Sequence, residues 1–504
     1  MTRKLLLAAC LAASIAACRG RRDLGRRLPG AIAIELGAPG PPVERALAAR
    51  LSAIGADSFF LPAVAGRAAG DSAAFEPVAG ADPSALPGAV YLEVIGTGNF
   101  DPPLERDPKR VAAALWKALE PSTRHPSPRI AGVHVAWRVR DSADGHAAVL
   151  EALRRRLPAR WTLSASVDTR LSEEARKRWR SIARKTDFLV ANVFGRRPDV
   201  DPDGIRLQAS LEDLADLEVP VYAGAAPQGW GVVRTPGAPP GAVIPDGAVS
   251  ELSRDRRFDF SFGDVLSDPD EDVYVFSART ESRLAGERTI AAGSTVAFRE
   301  RRVSDLVRAL ADAKAAPGKV IRLEALAGED HLFRVKTLED LLLGRDLRPA
   351  LSFSLRRDGS GLVLVAFNAT STWSSLSRLN NWVDLRVDGA RVLDLRPGQY
   401  DRFLFLDERA RPVTPARGRT VRLFQNFVGP GDTVATGPIR LSGAGAVFAS
   451  AHLTLPDGKV VAVPESRPAL PAAAGGASAG EQSANGVESG ARRERQPVKR
   501  EPHR

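Results

Sequence analysis

The stretch Ile130-Ala131-Gly132-Val133-His134-Val135-Ala136-Trp137, an amphipathic run at 147–157, and then Trp161-Thr162-Leu163-Ser164-Ala165-Ser166-Val167-Asp168 decide how this chain folds. The outer two runs alternate in character at the period of a strand, and the run between them repeats its apolar residues at helical spacing. Strand, helix and strand in that order require a crossover, which pairs the strands in parallel. The same unit recurs outward in both directions. Strands are expected at 31–36, 58–64, 90–95, 188–194, 219–225 and 295–300, with helices at 43–54, 109–119, 173–185, 211–217 and 305–315. A Gly/Ala/Pro-rich excursion follows the second strand, and a long Pro/Gly-rich insertion with a possible extra strand at 273–277 follows the seventh. Eight strand-then-helix units predict an α/β fold closed as a (β/α)8 TIM-like barrel over 31–318. An open doubly wound sheet is the alternative, but no G-x-G-x-x-G follows the first strand and no phosphate-binding loop occurs.

From 319 the texture changes. A connector at 319–344 leads to short alternating strands separated by Asp358-Gly359, Asp388-Gly389 and Asp457-Gly458, dipeptides that favour hairpins. They predict an antiparallel β-sandwich over 345–464. The rest, 465–504, is rich in small residues and mixed charge without apolar periodicity, and is expected to be disordered.

Successive strand residues face opposite sides, and barrel chemistry sits at the carboxyl ends of the strands. Alternation therefore turns inward Ala33 and Glu35 in the first strand, Tyr91 and Glu93 in the third, and His134, Ala136 and Arg138 in the fourth. Thr162, Ser164, Ser166 and Asp168 follow in the fifth, Asn192 and Phe194 in the sixth, Tyr222 in the seventh, and Phe298 and Glu300 in the eighth. Glu35, Glu93, Asp168 and Glu300 are the candidate catalytic carboxylates. Tyr91, His134, Asn192, Tyr222 and Trp230, the last on an expected mouth loop, are the candidate ligand-binding residues. Beside each stands a structural reading: Glu35 and Glu93 as buried partners of Arg138 or Arg299, and His134 as a hydrogen-bonded core histidine. Trp373 and Trp382, with Asn380-Asn381, are either a glycan-binding patch or core.

The Ile130–Ala136 strand with its Trp161-Thr162-Leu163-Ser164-Ala165-Ser166 successor resembles the middle of a chitinase-like barrel. It is similar above all to a bacterial family of unknown function related to the family-18 glycosidases. In that family an Ala-Gly-Val-x-Val-Asp-type fourth strand precedes such a fifth, and 187–195 and 293–300 are similar to its sixth and closing strands. The resemblance spans roughly 30–316. It implies a D-x-x-D-x-D-x-E motif on the fourth strand, whose last glutamate protonates the leaving oxygen. Here Ala131, His134, Ala136 and Arg138 stand at the four acidic positions. An arginine has no transferable proton near neutral pH. The resemblance therefore implies a degenerate glycosidase-like barrel that leans away from catalysis and binds a glycan or envelope component. The alternatives are a polysaccharide hydrolase with relocated carboxylates and a structural lipoprotein acting through protein contacts. No G-x-S-x-G elbow and no metal-ligand spacing among the scattered histidines is found, and no cofactor or metal is implied.

The N-terminus reads as an export signal over 1–17. Arg3 and Lys4 precede an apolar run too short to cross a bilayer, which needs about 20 residues. Ile15-Ala16-Ala17-Cys18 is similar to the bacterial lipobox and implies cleavage before Cys18 and a diacylglycerol on its thiol, anchoring the chain to the bilayer by its acyl chains. The alternative is an ordinary secretory signal. The expected location is the cell envelope, and the outer membrane if the cell is Gram-negative. Both cysteines lie in the first eighteen residues, so the expected mature body has no disulfide. A net charge of +11 raises nucleic acid as a partner, but export argues against it. The basic linker 18–30, with Arg19, Arg21, Arg22, Arg26 and Arg27, reads either as membrane-adhesive or as solvated.

Overall fold

The computed structural model describes residues 26–36, 45–79, 82–124, 126–137, 139, 142–168, 179–194, 217–238, 243–262, 273–284, 289–299, 303–312, 316–323, 330–359, 361–414 and 418–469. The expected signal, the lipidation site Cys18, Arg138, the helix at 211–217 but for Leu217, residues 173–178 of that at 173–185, and Glu300 lie outside them.

Eight parallel strands close into a barrel. In order they are Ile32–Leu36, Ala56–Ala69, Ala89–Thr97, Ile130–Ala136, Thr162–Asp168, Phe188–Phe194, Val221–Ala225 and Lys319–Leu323, and the first pairs with both the second and the last. An antiparallel strand, Ser72–Pro77, extends the second as a hairpin, which is the excursion expected after it. In the fourth strand Gly132 lies against its neighbour: a Cβ there would come within 2.3 Å of the Thr162 carbonyl oxygen. The helices Arg45–Ala53, Pro108–Arg124, Ala143–Arg154 and Val303–Asp312 lie where amphipathic spacing puts them.

The closing strand is not the expected one. Lys319–Leu323, assigned from sequence to the connector, pairs with Ile32–Leu36 on one side and Val221–Ala225 on the other. Thr295–Arg299 belongs instead to a five-stranded antiparallel sheet, ordered Val243–Pro245, Trp230–Arg234, Thr295–Arg299, Val273–Ala278, Phe258–Phe262. Thr295–Arg299 alternates with period two, whereas Lys319–Leu323 sets Val320 and Ile321 side by side, both buried, as a strand covered on both faces does, so a reading by alternation favours the former. Phe298, expected inside the barrel, is buried with Phe260 and Phe276 in a core that also holds Ile34, Phe59, Leu338, Trp373 and Phe427. One apolar core thus joins the inserted sheet, the outer barrel wall, the helix Val335–Leu342 and the segments that connect the C-terminal strands.

Those C-terminal sheets, of five and six antiparallel strands, form the sandwich. Leu355, Leu364 and Ala366 of the first share a core with Leu385, Leu423 and Ala449 of the second. Asp358-Gly359 makes its expected hairpin, with Gly359 at φ +56°, a conformation glycine adopts without steric cost. Asp388-Gly389 does not: the strand before it lies in the six-stranded sheet and Val392–Leu395 in the other, so the turn crosses between sheets. Order also runs past the expected start of the tail. The strand Val460–Ser466 pairs with Ala446–Thr454, and the Leu355 amide donates to the Ala469 carbonyl at 3.0 Å.

The expected linker is partly built into the barrel as well. Residues 26–30 cross the N-terminal end, where Tyr91 Oη donates to the Arg27 carbonyl (2.9 Å) and Tyr222 Oη to the Pro29 carbonyl (2.7 Å). Arg26 Nη1 pairs with Asp187 at 2.6 Å, and its Nε donates to the Ala159 carbonyl. Leu28 packs against the aromatic interior.

Candidate functional site

The barrel interior is built in two levels. The lower is apolar and aromatic: Phe60 stacks on Tyr91 (centroids 4.9 Å), Tyr91 meets Phe188 edge-on (5.6 Å), and Phe188 meets Tyr222 (5.2 Å). Phe60 comes from the second strand, which offered no polar or aromatic candidate at the mouth in the sequence. Burial pushes the Tyr91 phenol well above its usual range, with the Tyr222 phenol beside it adding to the rise. Tyr91 and Tyr222 therefore face the floor, their hydroxyls engaged by the 26–30 segment, and stand away from the mouth.

The upper level is polar. Glu35 and Arg322 are register partners on the first and eighth strands, so their side chains emerge side by side and form an ion pair. The same guanidinium lies 3.8 Å from Glu93, whose side chain is fully buried. Two buried carboxylates beside one arginine follow the structural reading of Glu35 and Glu93 as partners of a cation, although a single guanidinium offsets only one of the two charges. The arginine is Arg322, from the strand the sequence did not recognise as part of the barrel.

His134 stands beside Glu93 in register and opposite Ser164. Its Nδ1 is hydrogen-bonded to Ser164 Oγ (2.9 Å) and its Nε2 to Ser166 Oγ (3.0 Å), while Phe60 packs edge-on against the ring. Burial, with the Arg322 charge adding to it, lowers the imidazole pKa to about 3. A histidine so held is neutral at physiological pH and has both nitrogens occupied, so it lacks the proton a general acid needs.

The remaining candidates divide. Asn192 is half-buried on the sixth strand, level with Asp168 at the end of the fifth. The side chain of Asp168 lies outside the described residues, and Glu300 follows a strand of the other sheet. Trp230 is on a strand of the inserted sheet rather than a mouth loop, and its ring meets His331 edge-on at 4.8 Å. His331 Nδ1 in turn contacts Asp246 Oδ1 and the Gly229 carbonyl, each at 3.0 Å. Trp373 is core. Trp382 lies on the outer face of the six-stranded sheet, stacked on His452 (3.8 Å) from the strand on one side and covered by Arg422 (4.4 Å) from the strand on the other. Both faces of that indole are taken, which leaves no flat surface for a sugar ring. Among the described residues no group of three or more His, Cys, Asp or Glu side chains is arranged to hold a metal ion.

No family model and no curated protein matches the chain. Solved structures similar to it include the spore cortex-lytic enzyme of Bacillus cereus, at 14% identity and TM-score 0.38, covering 63% of this chain and 74% of that one. A cell-surface-expressed multi-modular chitinase from Paenibacillus shows 12% identity and TM-score 0.42, covering 87% of this chain and 56% of its own length. A family-18 N-acetylglucosaminidase from Paenibacillus barengoltzii shows 13% identity and TM-score 0.37, covering 62% and 99%. The architecture itself rests on the hydrogen-bonded closure of the eight strands.

Proposed function

We propose that this protein is a membrane-anchored lipoprotein of the cell envelope whose barrel binds a glycan, or another hydroxyl-rich envelope component, without cleaving it. The observation that carries the proposal is the state of the interior carboxylates. Glycoside hydrolysis needs one carboxyl group to give a proton and another to act as base or nucleophile. Glu35 is ion-paired to Arg322, and Glu93 is buried beside the same guanidinium. Both carboxyl groups are buried against that side chain instead of lining an open cleft. Ser166, Asn192 and Arg322 are half-buried rather than buried, and they supply hydroxyl, amide and guanidinium groups suited to ligand hydroxyls.

Calorimetric titration of the intact chain with chitin, peptidoglycan and polysaccharide fragments tests this. Saturable binding weakened by Asn192→Ala or Ser166→Ala is expected, and silence from every fragment with the fold intact discards it. The anchor is tested separately: Cys18→Ala is expected to move the protein from the membrane fraction to the soluble envelope fraction.

A hydrolase with relocated carboxylates draws support from the convergence of Glu35 and Glu93 on one arginine. Release of reducing ends that stops in Glu93→Gln would favour it.

A further inference from the structure

We propose that the floor of the barrel, at the amino ends of its strands, is a docking face for an anionic phospholipid bilayer. Arg27 precedes the first strand, Arg129 the fourth, Arg160 the fifth and Arg184 the sixth. In a closed parallel barrel the segments that enter the strands share one end, so these four side chains lie on the same face. All four are exposed. Among the described residues, no carboxylate forms an ion pair with any of them.

Their neighbours are different. Arg26 and Arg154 pair with Asp187, and Arg155 and Lys185 with Glu151. The carboxylates at this end are therefore largely consumed by other cations, Asp57 and Glu218 being the exposed exceptions. What is left outward is an excess of guanidinium groups, which pair geometrically with phosphate oxygens. Arg26, part of the basic cluster in the sequence, does not contribute, because its charge is spent inside the fold.

Chain length selects the occupant. From Cys18 to Arg26 is eight residues, a reach of at most about 28 Å. Residue 26 is already fixed to the floor through Asp187 and Ala159. This step rests on the proposed lipidation of Cys18: a lipid there would hold this face within that reach of the headgroups, while the mouth at the carboxyl ends of the strands points away from them. The proposal is independent of whether the mouth binds a glycan, and it is tested without the lipid.

The experiment is co-sedimentation of the chain from Arg19 to Arg504, which lacks the lipidated thiol and keeps every described residue. It uses vesicles of phosphatidylglycerol with phosphatidylcholine, and of phosphatidylcholine alone. Binding to the first and not the second is expected, falling as salt shortens the screening length. Near an anionic surface each basic side chain strengthens partition by about fivefold. The combined Arg129→Gln, Arg160→Gln, Arg184→Gln variant is therefore expected to lose about a hundredfold of the affinity, with an unchanged thermal transition. Control substitutions of exposed arginines in the sandwich, Arg391→Gln with Arg409→Gln, are expected to bind like the parent. Equal binding by parent and floor variant, no preference for the anionic vesicles, or retention on DNA or an acidic polysaccharide without vesicle binding would overturn the proposal.

Discussion

Arg322 is the residue on which the interior depends. It is the counter-charge to Glu35 and Glu93, and a buried carboxylate left without a cation is costly. Removing one partner from such a group destabilises a protein by about 3–5 kcal/mol. Arg322→Met is accordingly expected to lower the free energy of unfolding by that order, read by urea titration, and adding Glu35→Gln with Glu93→Gln to it is expected to recover much of the loss. If Arg322→Met is neutral, the three groups are not coupled. His134 and His146 give a second prediction. Burial lowers both imidazoles from 6.5 to about 3, so each is neutral when folded and takes up a proton on unfolding below about pH 6.5. Their contribution is complete above that pH and is lost as pH falls toward 3, at about 1.4 kcal/mol per pH unit for each. Unfolding curves between pH 7 and 5 check this, and His134→Gln is expected to flatten the slope by one proton.

At the scale of elements, the fourth strand shows what sequence can reveal. Its alternation placed His134 inward and Val133 and Val135 outward, and all three are buried in those directions. The same period-two reading put Glu35, Tyr91, Glu93, Ser164, Ser166, Asn192 and Tyr222 on the barrel's inner side. It could not tell level: Tyr91 and Tyr222 serve the floor, because the depth of a side chain in a barrel depends on strand stagger, which no single strand encodes. Nor could it find the last strand. Lys319–Leu323 is five residues long, lacks clean alternation and is separated from the seventh by an entire inserted sheet, while Thr295–Arg299 alternates and comes sooner. Hence Arg322 was missed, and Arg138 and Arg299 were considered in its place. Two substitutions test the assignment. Ile321→Pro, which removes an amide from a strand paired on both sides, is expected to abolish cooperative folding. Gly132→Ala is expected to destabilise by about 2 kcal/mol or more, since the contact it makes is with backbone.

Among the described residues, one apolar core ties the barrel wall, the inserted sheet and the C-terminal region together. Trp373, Leu376 and Phe427 of the C-terminal region pack with Phe276 and Phe298 of the inserted sheet and with Ile34 and Phe59 of the barrel wall. Polar links reinforce the junction: Arg254 pairs with Asp432, and Thr337 Oγ1 donates to the Ser371 carbonyl at 2.8 Å. A chain stopped at 344 would expose that apolar surface, so it is expected to aggregate or unfold at markedly lower urea than the complete chain, and independent folding of the two parts would contradict a shared core. The sandwich thus acts as a structural buttress to the barrel as well as a second surface.

What is proposed is a barrel whose described upper interior is polar and which binds a glycan without hydrolysing it. The most direct measurement is the release of new reducing ends from chitin and peptidoglycan fragments by the intact protein, followed from pH 4 to 8 alongside Glu93→Gln. No release above the variant at any pH is predicted. Turnover by the parent that disappears in Glu93→Gln would contradict the claim.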